Sequence, residues 1–258
     1  VQFASLGSGS AGNATLIEAG ETRLLLDCGF SVKETVQRLA RLQRQPEQLT
    51  GILVTHEHDD HARGAFKLAA RYQIPVWLTH GTLSMCQRYL PAASQSVKLN
   101  IVDAHTVFAL QEIEVHPYPV PHDAREPAQF VFSDGVRKFG VLTDVGSVTP
   151  HIVLMLQACD GLLLECNHDL EMLRNGPYAY SLKKRVGGWL GHLDNQSSAQ
   201  LLAKLDNRKL KHLVAAHLSE KNNTPTLAQQ ALSEVLHCER DWVQIASQQS
   251  GLDWRSLI

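Results

Sequence analysis

The sequence predicts an α/β chain of the α+β kind, a sandwich of two β-sheets with helices on the outer faces. Three observations predict it. Strand signals alternate with helical stretches in two roughly similar halves. The segment from Val97 to Thr143 reads as nearly all strand, which does not suit a doubly wound sheet. Each sheet must also cover its second face, and the interspersed helices supply that cover.

The elements follow in order. Phe3–Leu6 reads as a strand, followed by the Gly/Ser-rich loop Gly7–Asn13. Ala14–Glu18 and Arg23–Leu26 form a hairpin about the Gly20-Glu21 turn. Asp27-Cys28-Gly29 closes that strand, and Ser31 caps a helix with Val32, Val36 and Leu39 on one face and Glu34 placed for a capping box. Gly51–Thr55 is a short apolar run of the kind buried on both faces. Ala65–Tyr72 reads as helix, Pro75–Leu78 as strand and Thr82–Tyr89 as helix. Strands are expected over Val97–Val102, Glu112–Val120, Gln129–Phe132 and Lys138–Thr143. The remainder alternates: helix near Pro150–Gln157, strand Gly161–Glu165, helices near Leu182–Trp189 and Ser197–Leu205, strand His212–Ala216 and helix Leu227–Leu236. No linker or repeat interrupts this, so one domain is expected.

At 258 residues and 44% hydrophobic, the chain can bury a full core. A net charge of −2 argues against a non-specific polyanion binder, so a nucleic-acid enzyme would have to concentrate its positive charge locally. Candidates are Arg38/Arg41/Arg44, Lys183-Lys184-Arg185 and Arg208-Lys209-Lys211, each of which also fits a solvated helix face. The five cysteines are scattered without Cys-x-x-Cys spacing, which argues against a disulfide framework and a zinc ribbon. Cys159 and Cys166 are expected as buried small hydrophobes. With no membrane-length apolar run and no basic-then-apolar leader, the expectation is a soluble, cytoplasmic protein.

The chemistry concentrates in His56-Glu57-His58-Asp59-Asp60-His61, directly after the buried strand. Three imidazoles and three carboxylates in six residues suit zinc, manganese or iron rather than calcium. A structural zinc site would bring thiolates, and the spacing is not that of a His-Glu-x-x-His protease helix, so an open catalytic site is favoured. Further ligands must come from later strand ends: His122-Asp123 behind the Pro119/Pro121 pair, Asp144 and His217.

Thr55–His61, preceded by Leu26-Asp27-Cys28-Gly29 and followed by single His, Asp and His motifs, resembles the metallo-β-lactamase fold superfamily over nearly the whole chain. The resemblance implies an αββα sandwich as a single hydrolase domain over residues 1–258, with two divalent metal ions between the sheet edges. It places His56, His58 and His122 on one ion, Asp60, His61 and His217 on the other, and Asp144 between them. Asp27 is expected behind the ligands, orienting the loop. Gly191-His192-Leu193-Asp194-Asn195 is similar to the motif that supplies a proton donor in the transfer-RNA-processing phosphodiesterases of this fold. Ser8-Gly9-Ser10-x-Gly12-Asn13, Glu165–Asp169, Gly176-Pro177-Tyr178, Leu182-Lys183-x-Arg185, Gly191–Leu193 and His217–Ser219 with Asn222-Asn223 resemble the bacterial WalJ/YycJ family. That family is related to a two-component-system operon protein and described as 5′→3′ DNA exonucleases. One departure is Asp194, where the family usually has serine.

The implied function is a phosphodiester hydrolase in which a dinuclear-metal hydroxide attacks phosphorus in line. His192 and Asp60 are the expected catalytic residues, His192 as general acid for the leaving sugar oxygen. DNA, as a single strand or duplex end, is the implied partner, with no membrane. Ser8, Ser10 and Asn13 are candidate phosphate donors, although such a loop equally suits a plain hairpin connection. Asn167 and His168 are candidates to line the cleft, or are a polar strand end. Lys183 and Arg185 are candidate phosphate contacts. Trp77, Trp189, Trp242 and Trp254 are expected to pack rather than to stack on bases. The alternatives are a small-molecule hydrolase of the same fold, acting on a thioester, lactone or cyclic phosphodiester, and a scaffold that binds metal for stability. A deep cleft without basic walls would favour the small-molecule enzyme.

Overall fold

A computed structural model of the chain describes residues 1–90 and 97–258. Among them are two seven-stranded sheets. The first contains β1 (Gln2–Gly7), β2 (Ala14–Ala19), β3 (Thr22–Leu26), β4 (Gly51–Leu53), β5 (Val76–Thr79) and β6 (Leu99–Val102), with β14 (Leu252–Ser256) beside β1 at its edge. The second contains β7 (Phe108–Leu110), β8 (Ile113–Pro119), β9 (Ala128–Ser133), β10 (Lys138–Leu142), β11 (Gly161–Glu165), β12 (His212–Ala216) and β13 (Gln244–Ile245), neighbouring in chain order.

Each half starts as an antiparallel meander and continues as parallel strands. The change comes at β3–β4 in the first sheet and at β10–β11 in the second. Parallel neighbours need crossover connections, and helices supply them. In the first half these are α1 (Val32–Arg41), the short α2 (Asp59–Ala62), α3 (Ala65–Tyr72) and α4 (His80–Met85). In the second they are α5 (Pro150–Met155), α6 (Leu170–Asn175), α7 (Tyr180–Val186), α8 (Asn195–Leu202) and α9 (Pro225–Leu236).

Side-chain alternation explains the layering. Leu24 and Leu26 point between the sheets, where Leu53, Phe130, Phe132, Val141, Leu163 and Val214 meet them. Phe3 stacks on Phe139 across that layer with ring centroids 4.0 Å apart. Leu25 and Ile52 face the other way, onto Leu39 of α1 and Phe66 of α3. Leu162, Leu164, Leu213 and Ala215 do the same against Ile152 of α5, Leu201 of α8 and Leu232 of α9. The order is therefore helix, sheet, sheet, helix, the αββα sandwich.

Among the described residues the sequence signals missed β7, β13, β14, the short α2 and α6. The helix expected over Leu182–Trp189 runs over Tyr180–Val186, and that expected over Ser197–Leu205 starts at Asn195. Ser31 caps α1 as expected, accepting from the Glu34 amide, but Glu34 reaches Arg38 rather than completing a capping box. Asp194, the departure from the WalJ/YycJ pattern, caps α8 by accepting from the Gln196 and Ser197 amides, as a serine would. No helix among the described residues is long and apolar enough to cross a membrane.

Candidate metal centre and its cleft

The site forms where the strands end. Asp27 follows β3, Asp144 follows β10 and His217 follows β12, with backbone φ of 61°, 52° and 53°. Non-glycine residues seldom adopt this left-handed region, and such strain collects at functional positions. Each turns the chain sharply off its strand, so that the side chain faces the gap between the sheets. Gly29 is needed beside them, because a Cβ there would stand 1.8 Å from the Asp60 carbonyl oxygen.

Two groups of donors converge. In the first, His56 Nε2 lies 3.0 Å from His58 Nδ1, which lies 3.3 Å from His122 Nε2. The outer nitrogens are held by the protein: His56 Nδ1 bonds Thr55 Oγ1 at 2.9 Å, and His122 Nδ1 donates to the Gly191 carbonyl at 3.0 Å. In the second, Asp60, His61, Asp144 and His217 bring one donor atom each within 4.8 Å of one another. His61 Nδ1 donates to Asp27 Oδ2 at 2.8 Å, which turns Nε2 inward. Asp144 reaches both groups, with Oδ2 3.0 Å from His61 Nε2 and Oδ1 3.8 Å from His122 Nε2.

The electrostatics fit divalent cations. Asp60, Asp144 and Glu165 form no pair with lysine or arginine among the described residues; their partners are imidazoles. Burial pushes His56 well down and His122 down, leaving neutral rings with lone pairs to offer. Burial also opposes charge on His217, yet the Asp144, Asp60 and Glu165 carboxylates raise it to about 10. Protons on His61 and His217 thus stand where a cation would neutralise the same carboxylates. Asp144 Oδ2 and His217 Nε2 are buried without an aligned hydrogen bond among the described residues, although His61 Nε2 stands 3.0 Å from the former and Asp60 Oδ2 3.5 Å from the latter, a crowding of donor atoms that suits a shared cation. These groups hold no thiolate, so the donors suit a divalent metal in an open site.

Glu165 was not foreseen as part of the site, because it reads as the last residue of an apolar strand. Fully buried, it accepts from the Asp144, Val145 and Leu193 amides and from Nδ1 of His192 and of His217. Burial pushes its carboxyl up, but His192 and the other donors hold it at about 2. The contact to His192 Nδ1 is 2.8 Å, so Nε2 is the nitrogen left toward the cleft. Burial likewise opposes protonation of His192, and the Glu165 and Asp144 carboxylates overcome it and raise its pKa. The signal available in the sequence was a lone carboxylate closing an apolar strand, Gly161–Glu165.

The cleft above these groups encloses about 430 Å³ and is lined by Ser10, Arg88, Tyr178, Leu182 and Arg185 as well as site residues. Arg185 pairs with Asp123 at 2.6 Å and Arg88 with Asp59 at 2.8 Å, one arginine on each wall. Several expected substrate contacts lie elsewhere. Ser8 is buried, donating to Asn13 Oδ1 and accepting from the His217 amide, so it holds a turn rather than a phosphate. Asn13 is buried with its amide 3.2 Å from Asp60 Oδ2 and 3.0 Å from His61 Nε2, so it meets the candidate ligand atoms and does not line the cleft. Asn167 is buried and donates to the His217 carbonyl, and His168 is buried beneath α7, so neither lines the cleft. Lys183 turns back to the Arg174 carbonyl, because its position on α7 points away from the cleft. Arg38, Arg41 and Arg44 are spent on the Leu6 and Ser5 carbonyls and on Glu18, and Arg208 on Asp206, so of the three expected basic clusters Arg185 alone lines the cleft. Trp189 does not pack as expected: it is 75% exposed.

Comparison with known proteins gives a consistent result. A family model for the beta-lactamase superfamily domain matches residues 22–218. The chain is 35% identical to Exodeoxyribonuclease YycJ of Bacillus anthracis, over 92% of this chain and 89% of that protein. It is also 35% identical to Exodeoxyribonuclease WalJ of Streptococcus pneumoniae, over 88% and 85%. Among solved structures, the metallo-beta-lactamase fold protein YhfI from Bacillus subtilis superposes with a TM-score of 0.74 at 16% identity, covering 99% of both chains. That likeness supports the fold.

Proposed function

The chain belongs to the WalJ/YycJ family of the beta-lactamase superfamily, and on that premise we propose that it is a metal-dependent phosphodiesterase acting as a 5′→3′ DNA exonuclease. The observation that carries the proposal is a buried carboxylate, Glu165, holding His192 at the edge of an imidazole–carboxylate cage. The names of both relatives, exodeoxyribonucleases, supply the substrate class. The cleft carries Arg88 and Arg185, each paired with an aspartate, so its walls are not basic overall, and the choice of DNA over a small ester rests on the two relatives.

In this proposal His56, His58 and His122 would hold one divalent ion and Asp60, His61 and His217 a second, with Asp144 within reach of both groups. The ions are zinc, manganese or iron. When bound, they supply the Lewis acidity that makes water nucleophilic at neutral pH and offsets charge on phosphate. Asp27 keeps the His61 ring turned inward. His192 carries a proton at Nε2 for the departing sugar oxygen, and Glu165 offsets the charge on the ring while it does so. Arg88 and Arg185 receive the backbone of a single strand or of a duplex end. A single domain and a cytoplasmic site of action belong to the same proposal.

The test is direct. Metal-loaded protein given a 5′-phosphorylated, 3′-labelled DNA strand should release mononucleotides, with the label leaving last, and His58→Ala should abolish release. Hydrolysis of small esters alone, without nucleotide release in manganese or zinc, overturns the proposal.

A further inference from the structure

Residues 176–190 leave and rejoin the fold without burying one side chain. The stretch is ordered all the same: α7 lies within it, and its C-terminal end is tied down. The His192 amide donates to the Val186 carbonyl at 2.8 Å, and the Asp123 amide to the Leu190 carbonyl at 3.0 Å. A Cβ on Gly146 would come within 2.3 Å of the Trp189 carbonyl oxygen, so backbone rests on backbone there and the indole is left outside. Side chains left outside on a tied backbone, with Tyr180 82% and Trp189 75% exposed, form a surface that no described residue covers.

Its chemistry identifies the partner. The stretch carries Lys183, Lys184 and Arg185 and no acidic residue, in a chain whose net charge is −2. Tyr178 lines the cleft on one side of Arg185, with Lys221 Nζ 5.9 Å from its ring centroid. A shallow hollow on the other side is lined by Asp123, Lys184, Arg185, Trp189 and Gly191, and shares Asp123, Arg185 and Gly191 with the cleft. Aromatic faces on both sides of a cationic crossing suit a chain that alternates phosphate with a flat base. A second copy of this chain would bring like charges together across a symmetric contact. We propose that Tyr178 and Trp189 are stacking platforms for unpaired bases of a single strand threading past Arg185 into the cleft. This rests on the nuclease reading and sharpens it: the substrate is taken as single-stranded DNA, with little sequence preference because every base has a face to stack.

The test compares two strands of equal charge. Fluorescence anisotropy would follow metal-loaded protein binding 3′-fluorescein, phosphorothioate-linked oligothymidylate and the same backbone with abasic sites. The wild type should favour the base-bearing strand by roughly 5- to 150-fold for each stacked base. Tyr178→Ala/Trp189→Ala should lose that preference, while Tyr178→Phe/Trp189→Phe should retain most of it. A wild type that binds both strands alike, or a preference that survives the double alanine change, overturns the inference. Loss of a dimer on alanine substitution, seen by sedimentation, overturns it too by making a second copy the occupant. Base preference in a protein that releases no nucleotides would support the platforms and sink the nuclease reading alone.

Discussion

Replacing Glu165 by glutamine removes a charge and one acceptor while barely changing volume. Glu165 Oε1 receives the Asp144 amide, His192 Nδ1 and His217 Nδ1 at 3.1, 2.8 and 3.2 Å. Oε2 receives the Val145 and Leu193 amides at 3.1 and 3.0 Å. Glutamine keeps one oxygen, and its NH2 must face one of these sets. Turned toward Oε1 it meets an amide and two imidazoles, so the milder choice faces the two backbone amides. Each buried donor left unpaired costs about 1–3 kcal/mol, which gives a loss of about 2–6 kcal/mol. Urea unfolding at one fixed metal concentration, followed by circular dichroism, would measure it as a shift in midpoint at constant slope. A Glu165→Gln protein within about 1 kcal/mol of wild type would refute the reasoning, since a net hydrogen bond is itself worth that much.

The other predictions concern the reacting groups and their supports. His192→Ala should lower kcat on DNA by about 10²–10⁴-fold yet act far less on a p-nitrophenyl phosphodiester, whose leaving group needs no proton. Equal losses on both substrates, measured at saturation, would remove His192 from the general-acid role. Asp27→Asn should weaken metal binding by about 10–100-fold in competition with a chromophoric chelator, because the His61 ring loses its anchor. Unchanged affinity would show that the ring is held otherwise. Gly29→Ala forces a methyl to 1.8 Å from the Asp60 carbonyl oxygen and should cost about 1–3 kcal/mol by thermal melting, a loss that vanishes only if the loop is free to move.

The proposed metal ligands were legible because His56, His58, Asp60 and His61 lie within six residues, where donor type and spacing carry the chemistry locally. His122, Asp144 and His217 are single residues, and only their order along the chain and their place at strand ends gave them meaning. Glu165 was hidden because its partners arrive from the turns after β10 and β12 and from the loop before α8, a convergence that depends on which strands become neighbours. Roles inside the Gly/Ser loop depended on direction: Ser10 faces the cleft, while Ser8 turns onto the His217 amide and Asn13 onto Asp60 and His61. For Lys183 the phase of α7 decided, a detail that a helix boundary displaced by two residues is enough to lose. The C-terminal strand β14 escaped notice because Leu252–Ser256 mixes Asp and Arg with apolar residues. It pairs with β1 after a close approach at Gly251, where a Cβ would stand 2.0 Å from the Ser5 carbonyl oxygen.

The central claim is that these side chains form a dinuclear metal site. Crystals of the protein loaded with zinc or manganese, measured on both sides of the metal's absorption edge, test it most directly. The account predicts two anomalous peaks, one among His56, His58 and His122 and one among Asp60, His61 and His217, with Asp144 touching both. A single peak, or peaks away from Asp144, would contradict it.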